Sequence, residues 1–450
     1  MHEMSSEGQK PICHRARPVC CAQFAAGKVI LSGAPFGARY LLSNRRYRVL
    51  VLSTHVIPYG SSLLRLLSKD PRLEVVVGYC SLQGAEAGMD PEFGIEIQWD
   101  TPLLEGYTWI HVPNRSLRPG LGRFFGLFNP GLWGLIRKGN FDAVVIYTGY
   151  MYASFWIAAF AAKLFDVGLL ISSDSTSLHQ REGHWWKARI KPWVLGRVYR
   201  FVDILMAASQ PVKELAMKLG KPESEIVVIR SGVNKADWLQ RMTKFDRQKT
   251  RQSWGLQPDD LVVFYCAKLQ TWKRPLDLVR AFAEAEVPGA YLVMAGDGPQ
   301  RSEVEQEVAK LGIQERVRIL GFVNDSQLPG VYKAADLFVL PSEYDPCPLV
   351  VPEAMFSGLP VLLSDAVIGR IEMIDPGNSG YVYRCGDVSA LAEHLRKVLQ
   401  EPGSLQRMKS GVAHQMEKWT AEDLLNCWVG AVSKAVDSKK RRQKPEHAQG

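Results

Sequence analysis

The chain has 450 residues, 46% hydrophobic and 22% charged, with a formal net charge of +9. That length exceeds one core of about 250–300 residues, so two domains are expected, and the globular composition excludes a fibrous or wholly disordered chain. The positive balance favours acidic partners such as phosphates, nucleic acid or anionic lipid and says nothing of fold. Eight cysteines are scattered, with no C-x-x-C pair and no Cys/His metal spacing, which fits a reducing cytoplasm.

Residues 1–46 carry Cys13, Cys20, Cys21 and several basic residues without a sustained period. They are expected to be a poorly ordered extension, too broken in apolar content for a signal peptide. Tyr47–Ser53 is a buried-type strand, followed by THVIPYGSS and an apolar-periodic helix at Leu63–Leu67. Strand, glycine turn and helix open a Rossmann-like half, with Gly60 letting backbone approach a phosphate closely. Leu73–Tyr79 is the next strand, and GIEIQWDTPLLEGYTWIHV supplies strand material on both sides of a turn. Residues 143–162 are uncharged for twenty positions, long enough to span a bilayer. They divide instead into a strand, Ala143–Tyr147, a turn at Thr148–Gly149, and a helix, Ala153–Leu164, packed on a sheet. No spanning helix is expected. Asp174 follows the strand Val167–Ser172, where one reading is a helix cap or Asx turn.

His184–Arg200 holds three tryptophans and five Lys/Arg. It reads as an amphipathic segment at an anionic membrane surface, or as a long helix with snorkelling basic side chains. Phe124–Trp133, with Arg137 and Lys138, extends the same character. Nucleic acid is not expected as a partner, because no nucleic-acid-binding motif occurs. The first domain, 47–238, closes through Phe201–Ala207, a helix at Val212–Leu219 and Glu225–Arg230. Residues 237–253 form a polar linker and first helix.

The second domain, 253–415, opens with the strand Leu261–Cys266, the loop AKLQTWKRP and a helix at Leu276–Ala285. Lys268 and Lys273 put positive charge at a helix start, against the dipole, so an anion is expected there. Ala290–Ala295 and GDGP give a strand and tight turn, and Val317–Leu320 a strand before GFVND. Leu337–Leu340 is a buried parallel strand. Pro346 and Pro348 hold Asp345 and Cys347 out of any helix. A helix then begins near Leu349 and Val350, carries Glu353 about one turn in, and ends at Gly358 before the strand Val361–Leu363. Asp345, Glu353 and first-turn N–H groups thereby border one crevice at a strand's carboxyl end, where open α/β sheets bind ligands. A last helix spans 416–436, and 437–450 is expected to be a disordered tail.

PSEYDPCPLVVPEAMFSGLPV resembles the nucleotide-binding stretch of GT-B glycosyltransferases of the retaining family 4 type. The family form is PS-x-x-E-x-F-G-L-x-x-x-E-A-M-A-x-G-x-P-V. Here Asp345 replaces the first glutamate and Pro348 the glycine. The family's G-R-L-x-x-x-K-G is matched by Lys268 and Lys273, and W-D-x-P-L-L-E-G-Y is similar to first domains of some bacterial members.

The resemblance implies an α/β GT-B fold of two Rossmann-like doubly wound domains facing a cleft. It implies retaining transfer of a hexose from a UDP- or GDP-sugar to a glycan or lipid-linked acceptor. Lys268 and Lys273 would hold the diphosphate, Asp345 the sugar, and Glu353 the ribose. Gly60, Leu349, Val350 and backbone at Val323 would complete the donor site, with Asp174 on the acceptor side and residues 416–436 crossing back to the first domain. The family's acceptor-side histidine has no counterpart; Tyr147, Thr148 and Gly149 stand there. No D-x-D occurs, so neither metal nor other cofactor is expected beyond the nucleotide-sugar co-substrate. The expected location is the cytoplasm, peripheral on the inner face of the membrane. The rival expectations are a catalytically degenerate GT-B binding protein and a sugar-nucleotide epimerase on the same fold.

Overall fold

The structure of the protein, a computed structural model, describes residues 45–90, 95–176, 185–229, 232–367 and 371–443. The expected N-terminal extension, Arg45 and Arg46 apart, lies outside the described residues. In chain order the first lobe runs β1 (Tyr47–Ser53), α1 (Pro58–Ser68), β2 (Leu73–Tyr79), β3 (Gly88–Asp90), β4 (Ile95–Ile97), β5 (Thr108–His111), α2 (Gly131–Lys138), β6 (Ala143–Ile146), α3 (Ala153–Leu164), β7 (Gly168–Ser173), α4 (Trp185–Phe201), β8 (Ile204–Ala207), α5 (Gln210–Lys218) and β9 (Ile226–Val228). The second runs α6 (Lys235–Met242), α7 (Arg247–Ser253), β10 (Leu261–Cys266), α8 (Pro275–Ala285), β11 (Ala290–Ala295), α9 (Arg301–Lys310), β12 (Val317–Gly321), α10 (Leu328–Ala334), β13 (Leu337–Leu340), α11 (Val350–Phe356), β14 (Val361–Ser364), β15 (Gly380–Tyr383), α12 (Val388–Gln400) and α13 (Ser404–Glu417). The last helix is α14 (Ala421–Gln443).

Seven strands form the first sheet in the order β5-β2-β1-β6-β7-β8-β9, and six the second in the order β12-β11-β10-β13-β14-β15. Pairing within each is parallel. β6, β8, β13 and β14 are buried along their whole length, as continuous apolar runs are when helices cover both faces. β5 is exposed throughout and forms an edge. These are two Rossmann-like sheets. The uncharged stretch 143–162 is β6 plus α3, and among the described residues no helix is long and apolar enough to cross a membrane.

Two expected boundaries move. Val233 and Trp238 are buried in the second lobe's core. The Trp238 ring meets Tyr332 edge-on at 5.2 Å, and its indole N–H donates to Ser357 Oγ at 2.9 Å. α6 therefore packs with the second lobe, and the first lobe's core ends before residue 238. At the other end, α14 continues past 436 to Gln443, so 437–443 are helix where a disordered tail is expected. Ser438 Oγ donates to Ala435 O (2.8 Å) and Lys439 pairs with Asp166 (3.5 Å). Residues 444–450 lie outside the described residues. α14 buries Leu424, Trp428, Val432 and Val436 against the first lobe's sheet, and Tyr47 Oη donates to Ser433 Oγ at 3.1 Å.

Candidate functional site

Each sheet reverses its strand order beside its first strand, between β1 and β6 and between β10 and β13. Loops leaving two such neighbours diverge and open a crevice. In the second lobe those loops are 267–274 and 341–349. They are fastened to each other. The Glu343 N–H donates to Trp272 O at 2.8 Å, Arg274 Nη1 to Glu343 Oε2 at 3.1 Å, and Lys273 Nζ pairs with Asp345 Oδ2. Two expected site residues thus meet across the switch point, with Asp345 buried. Arg274 was not anticipated. It is left-handed at φ +50°, and Pro275 after it disfavours the right-handed helical region. This turn lets its side chain reach both Glu343 and Asp277 (2.5 Å).

Lys268 is half-buried on the same loop, where its carbonyl accepts from Tyr265 Oη (3.3 Å) and the Gln270 N–H (2.9 Å). The GDGP turn seats this loop. Gly296 and Gly298 have φ of +151° and +150°, and a Cβ on them would stand 1.9 Å from Ala267 O and 2.7 Å from Leu269 O. The Leu269 N–H donates to Asp297 O (2.9 Å), and the Gln300 N–H to Leu269 O (3.0 Å).

Leu349 is the N-cap residue of α11 and Val350 its first residue; both are partly buried against the core. Glu353 follows one turn in. Tyr332 Oη, on α10, donates to Glu353 Oε2 at 3.0 Å and Val350 O at 3.3 Å. Burial pushes the Glu353 carboxyl up to about 8, against the Tyr332 hydrogen bond; nearby Asp325 adds to the rise and Arg241 opposes it. Arg241 pairs with Asp325 at 3.1 Å. Burial likewise raises the Cys266 thiol, at the end of β10, to about 12; Glu353 adds to this, while Tyr332 and Lys273 oppose it. Glu353 and Lys273 therefore border the same strand end.

Val323 is partly buried in the loop after β12, and that loop is tied to the first lobe. Phe322 meets Trp99 edge-on at 5.6 Å. Asn324 Nδ2 donates to Gln98 O (2.7 Å), the Asp100 N–H to Asn324 Oδ1 (3.2 Å), and the Ser326 N–H to Asp100 Oδ1 (3.0 Å).

On the first lobe, Gly60 is not a turn glycine. It is the third residue of α1, with Pro58 at the helix start, and a Cβ there would stand 3.0 Å from Ile57 Cγ1. What it offers is a first-turn N–H without an intrahelical partner. Asp174 is exposed directly after β7. Tyr59, half-exposed at the start of α1, has its hydroxyl raised by desolvation, with Cys347 and Asp174 adding to the rise. The start of α1, Asp174 and the loop after β13 therefore share one region. Tyr147, where the family histidine would be sought, stacks on Trp428 of α14 at 6.2 Å. Among the described residues no three His, Cys, Asp or Glu are grouped to hold a metal ion.

Residues 73–237 match the family "Glycosyltransferase Family 4", and 246–415 match "Glycosyl transferases group 1". An uncharacterized glycosyltransferase of Methanocaldococcus jannaschii is 29% identical over 237 residues, covering 52% of this chain and 57% of that protein. The D-inositol 3-phosphate glycosyltransferase of Nocardia farcinica is 33% identical over 237 residues, covering 50% and 51%. The chain thus spans about half the length of the curated relatives it matches. The crystal structure of Anabaena HepE in complex with UDP and glucose has a TM-score of 0.67 at 20% identity, over 86% of this chain and all of that one, a likeness of fold. Since the two family matches fall one on each lobe, and both lobes have the sheet order and switch-point loops just described, the chain belongs to the group 1 glycosyltransferases of GT-B fold.

Proposed function

We propose that this chain transfers a hexose, with retention of configuration, from a UDP- or GDP-sugar on the second lobe to a glycan or lipid-linked acceptor on the first. The observation that carries the reading is the Lys273–Asp345 ion pair across the β10–β13 switch point, bordered by Glu353. An incoming diphosphate competes with Asp345 for Lys273. Its binding frees the carboxylate to accept from sugar hydroxyls, while Lys268 and Lys273 offset the charge that grows on the departing diphosphate. Glu353 takes the ribose hydroxyls, and backbone at Leu349, Val350, Val323 and Gly60 lines the donor. The bond from the anomeric carbon to the β-phosphate oxygen breaks on the face where the acceptor oxygen bonds, and the acceptor's proton passes to that phosphate. HepE, crystallised with UDP and glucose, supports a uridine nucleotide. Asp174 serves the acceptor side. The absence of D-x-D from the sequence supports transfer without a metal ion. The protein would work on the cytoplasmic side, attached peripherally through α4.

Two observations favour a second reading, a GT-B binding protein without turnover. Lys273 and Asp345 satisfy each other, and Pro348 offers no N–H. A panel of UDP- and GDP-sugars tested for thermal stabilisation, followed by assay of nucleotide release with a cell-extract acceptor in EDTA, separates the two. Stabilisation by one donor, lost in Lys273→Ala, together with EDTA-resistant release, is expected. Stabilisation without release would favour the binding protein, and no stabilisation by any donor would sink both.

A further inference from the structure

The loop between β5 and α2 presents nine consecutive exposed residues, 117–125. Leu117 is 101% exposed and Phe125 65%, with Leu121 and Phe124 nearly half exposed. Single exposed apolar side chains are ordinary, but several together on one projection are not.

The projection is built. Asn114 Nδ2 donates to Gly126 O (2.8 Å), and its Oδ1 accepts from the Phe128 N–H (2.9 Å). The Arg115 N–H donates to Phe128 O (2.8 Å), and the Gly120 N–H to Gly126 O (3.2 Å). A Cβ on Gly126 would stand 2.0 Å from Gly120 O, so glycine is what lets the loop close. The Gly122 N–H donates to Tyr152 Oη (3.2 Å), tying the tip to the start of α3. From there exposed Phe160 leads along α3 to Phe201 of α4, ring to ring at 5.6 Å, and α4 exposes Trp193 with Arg197 over its ring at 4.3 Å.

Charge selects the occupant. Between Glu105 and Asp142 the sequence has no acidic residue and five cations: Arg115, Arg118, Arg123, Arg137 and Lys138. Arg118 and Arg123 lie within the apolar tip. Apolar side chains flanked only by cations suit the interface of a bilayer with anionic headgroups, where the first insert and the second face phosphate. We infer that loop 117–125 is a membrane-inserting element, which together with α4 docks the first lobe on an anionic bilayer. The inference deepens the membrane part of the proposed function and rests on the first lobe being the acceptor side.

The test is flotation of the full-length protein with phosphatidylcholine vesicles, with and without phosphatidylglycerol, alongside calorimetry with UDP and GDP. Wild type should float only with phosphatidylglycerol. The triple variant Leu117→Ser/Phe124→Ser/Phe125→Ser should bind about tenfold more weakly or worse. Arg118→Glu/Arg123→Glu should lose the preference for anionic vesicles. Both variants should keep the wild-type melting temperature and nucleotide affinity, since the changed residues are exposed and lie on the other lobe. If the triple variant melts lower, Phe125→Ser alone replaces it. Undiminished flotation of the serine variants would overturn the inference and leave α4 as the only docking element. Failure of wild type to float would overturn it too, while nucleotide binding by calorimetry would still stand or fall on its own.

Discussion

The half-buried Glu353 should titrate near pH 8, above the ordinary 4.5, chiefly because its carboxyl is desolvated among α10 and α11. The folded protein then holds a proton that the unfolded chain has released, throughout the window from about 4.5 to 8. Stability of the unliganded protein should fall as pH rises across that window, and Glu353→Gln should remove this slope. If ribose hydroxyls donate to the carboxylate, nucleotide binding must expel the proton, so affinity should rise with pH by up to about tenfold per unit below 8. Calorimetry in buffers of different ionisation enthalpy would detect the released proton; a flat pH profile would remove Glu353 from the donor site. The position of Glu353 was legible, because its spacing from Pro348 and Gly358 sets the helix. Its environment was not. Tyr332 comes from α10, 21 positions earlier in sequence, and nothing local marks a tyrosine as a hydrogen-bond donor to that carboxylate. Gly60 was legible as a special position but misread, because P-Y-G suggests a turn, whereas Pro58 is a helix opener here.

At the scale of elements, the parallel strands were the most readable feature, since burial on both faces demands uninterrupted apolar runs. What joins them was not readable. Asp336, buried just before β13, accepts from Arg247 Nη2 (2.6 Å), Arg251 Nη2 (2.5 Å), Lys409 Nζ (2.8 Å) and the Val262 N–H (2.9 Å). One carboxylate thus ties α7, α13 and β10 to the strand that delivers Asp345. In sequence it is merely the residue that opens an apolar run, because its partners are 73 to 89 positions away. Burial by itself would raise the Asp336 carboxyl; Lys409 and Arg247 outweigh it and hold it below the usual range. Its contribution is therefore present above the ordinary carboxylate pKa and lost as pH falls through the lowered one. Asp336→Ala leaves Arg251, 1% exposed, buried beside an empty place. Removing one partner of a buried pair costs about 3–5 kcal/mol, so the urea midpoint should drop steeply. A loss below about 1 kcal/mol would show that Arg251's bonds to Pro258 O, Asp260 O and Ala334 O suffice without it.

At the scale of the molecule, α14 and a loop contact join the lobes, beside a hydrogen bond from Ser62 Oγ of α1 to Asp237 Oδ2 of α6 (3.0 Å). α14 returns from the second lobe and buries Trp428 and its neighbours in the first, an arrangement the family resemblance implied and the apolar spacing of 424–436 now explains. The other, the latch between 98–100 and 322–326, was hidden in two unremarkable loops more than two hundred residues apart. It flanks Val323, on the proposed donor side, so a separation of the lobes would also expose that loop. The latch is mostly exposed, and its neutral hydrogen bonds contribute about 0.5–1.5 kcal/mol each, those to the Asp100 carboxylate somewhat more. That is weak enough to break on opening and strong enough to shift a two-state balance. Asp100→Ala removes the acceptor for both the Ser326 N–H and its hydroxyl, while the buried α14 contacts keep the lobes joined. The variant should therefore retain its melting temperature to within a few degrees. Its radius of gyration in small-angle scattering should increase without nucleotide and contract again when a stabilising nucleotide is added. Equal radii for variant and wild type in both conditions would mean that α14 and the Ser62–Asp237 contact set the separation of the lobes and that the loop contacts merely follow them.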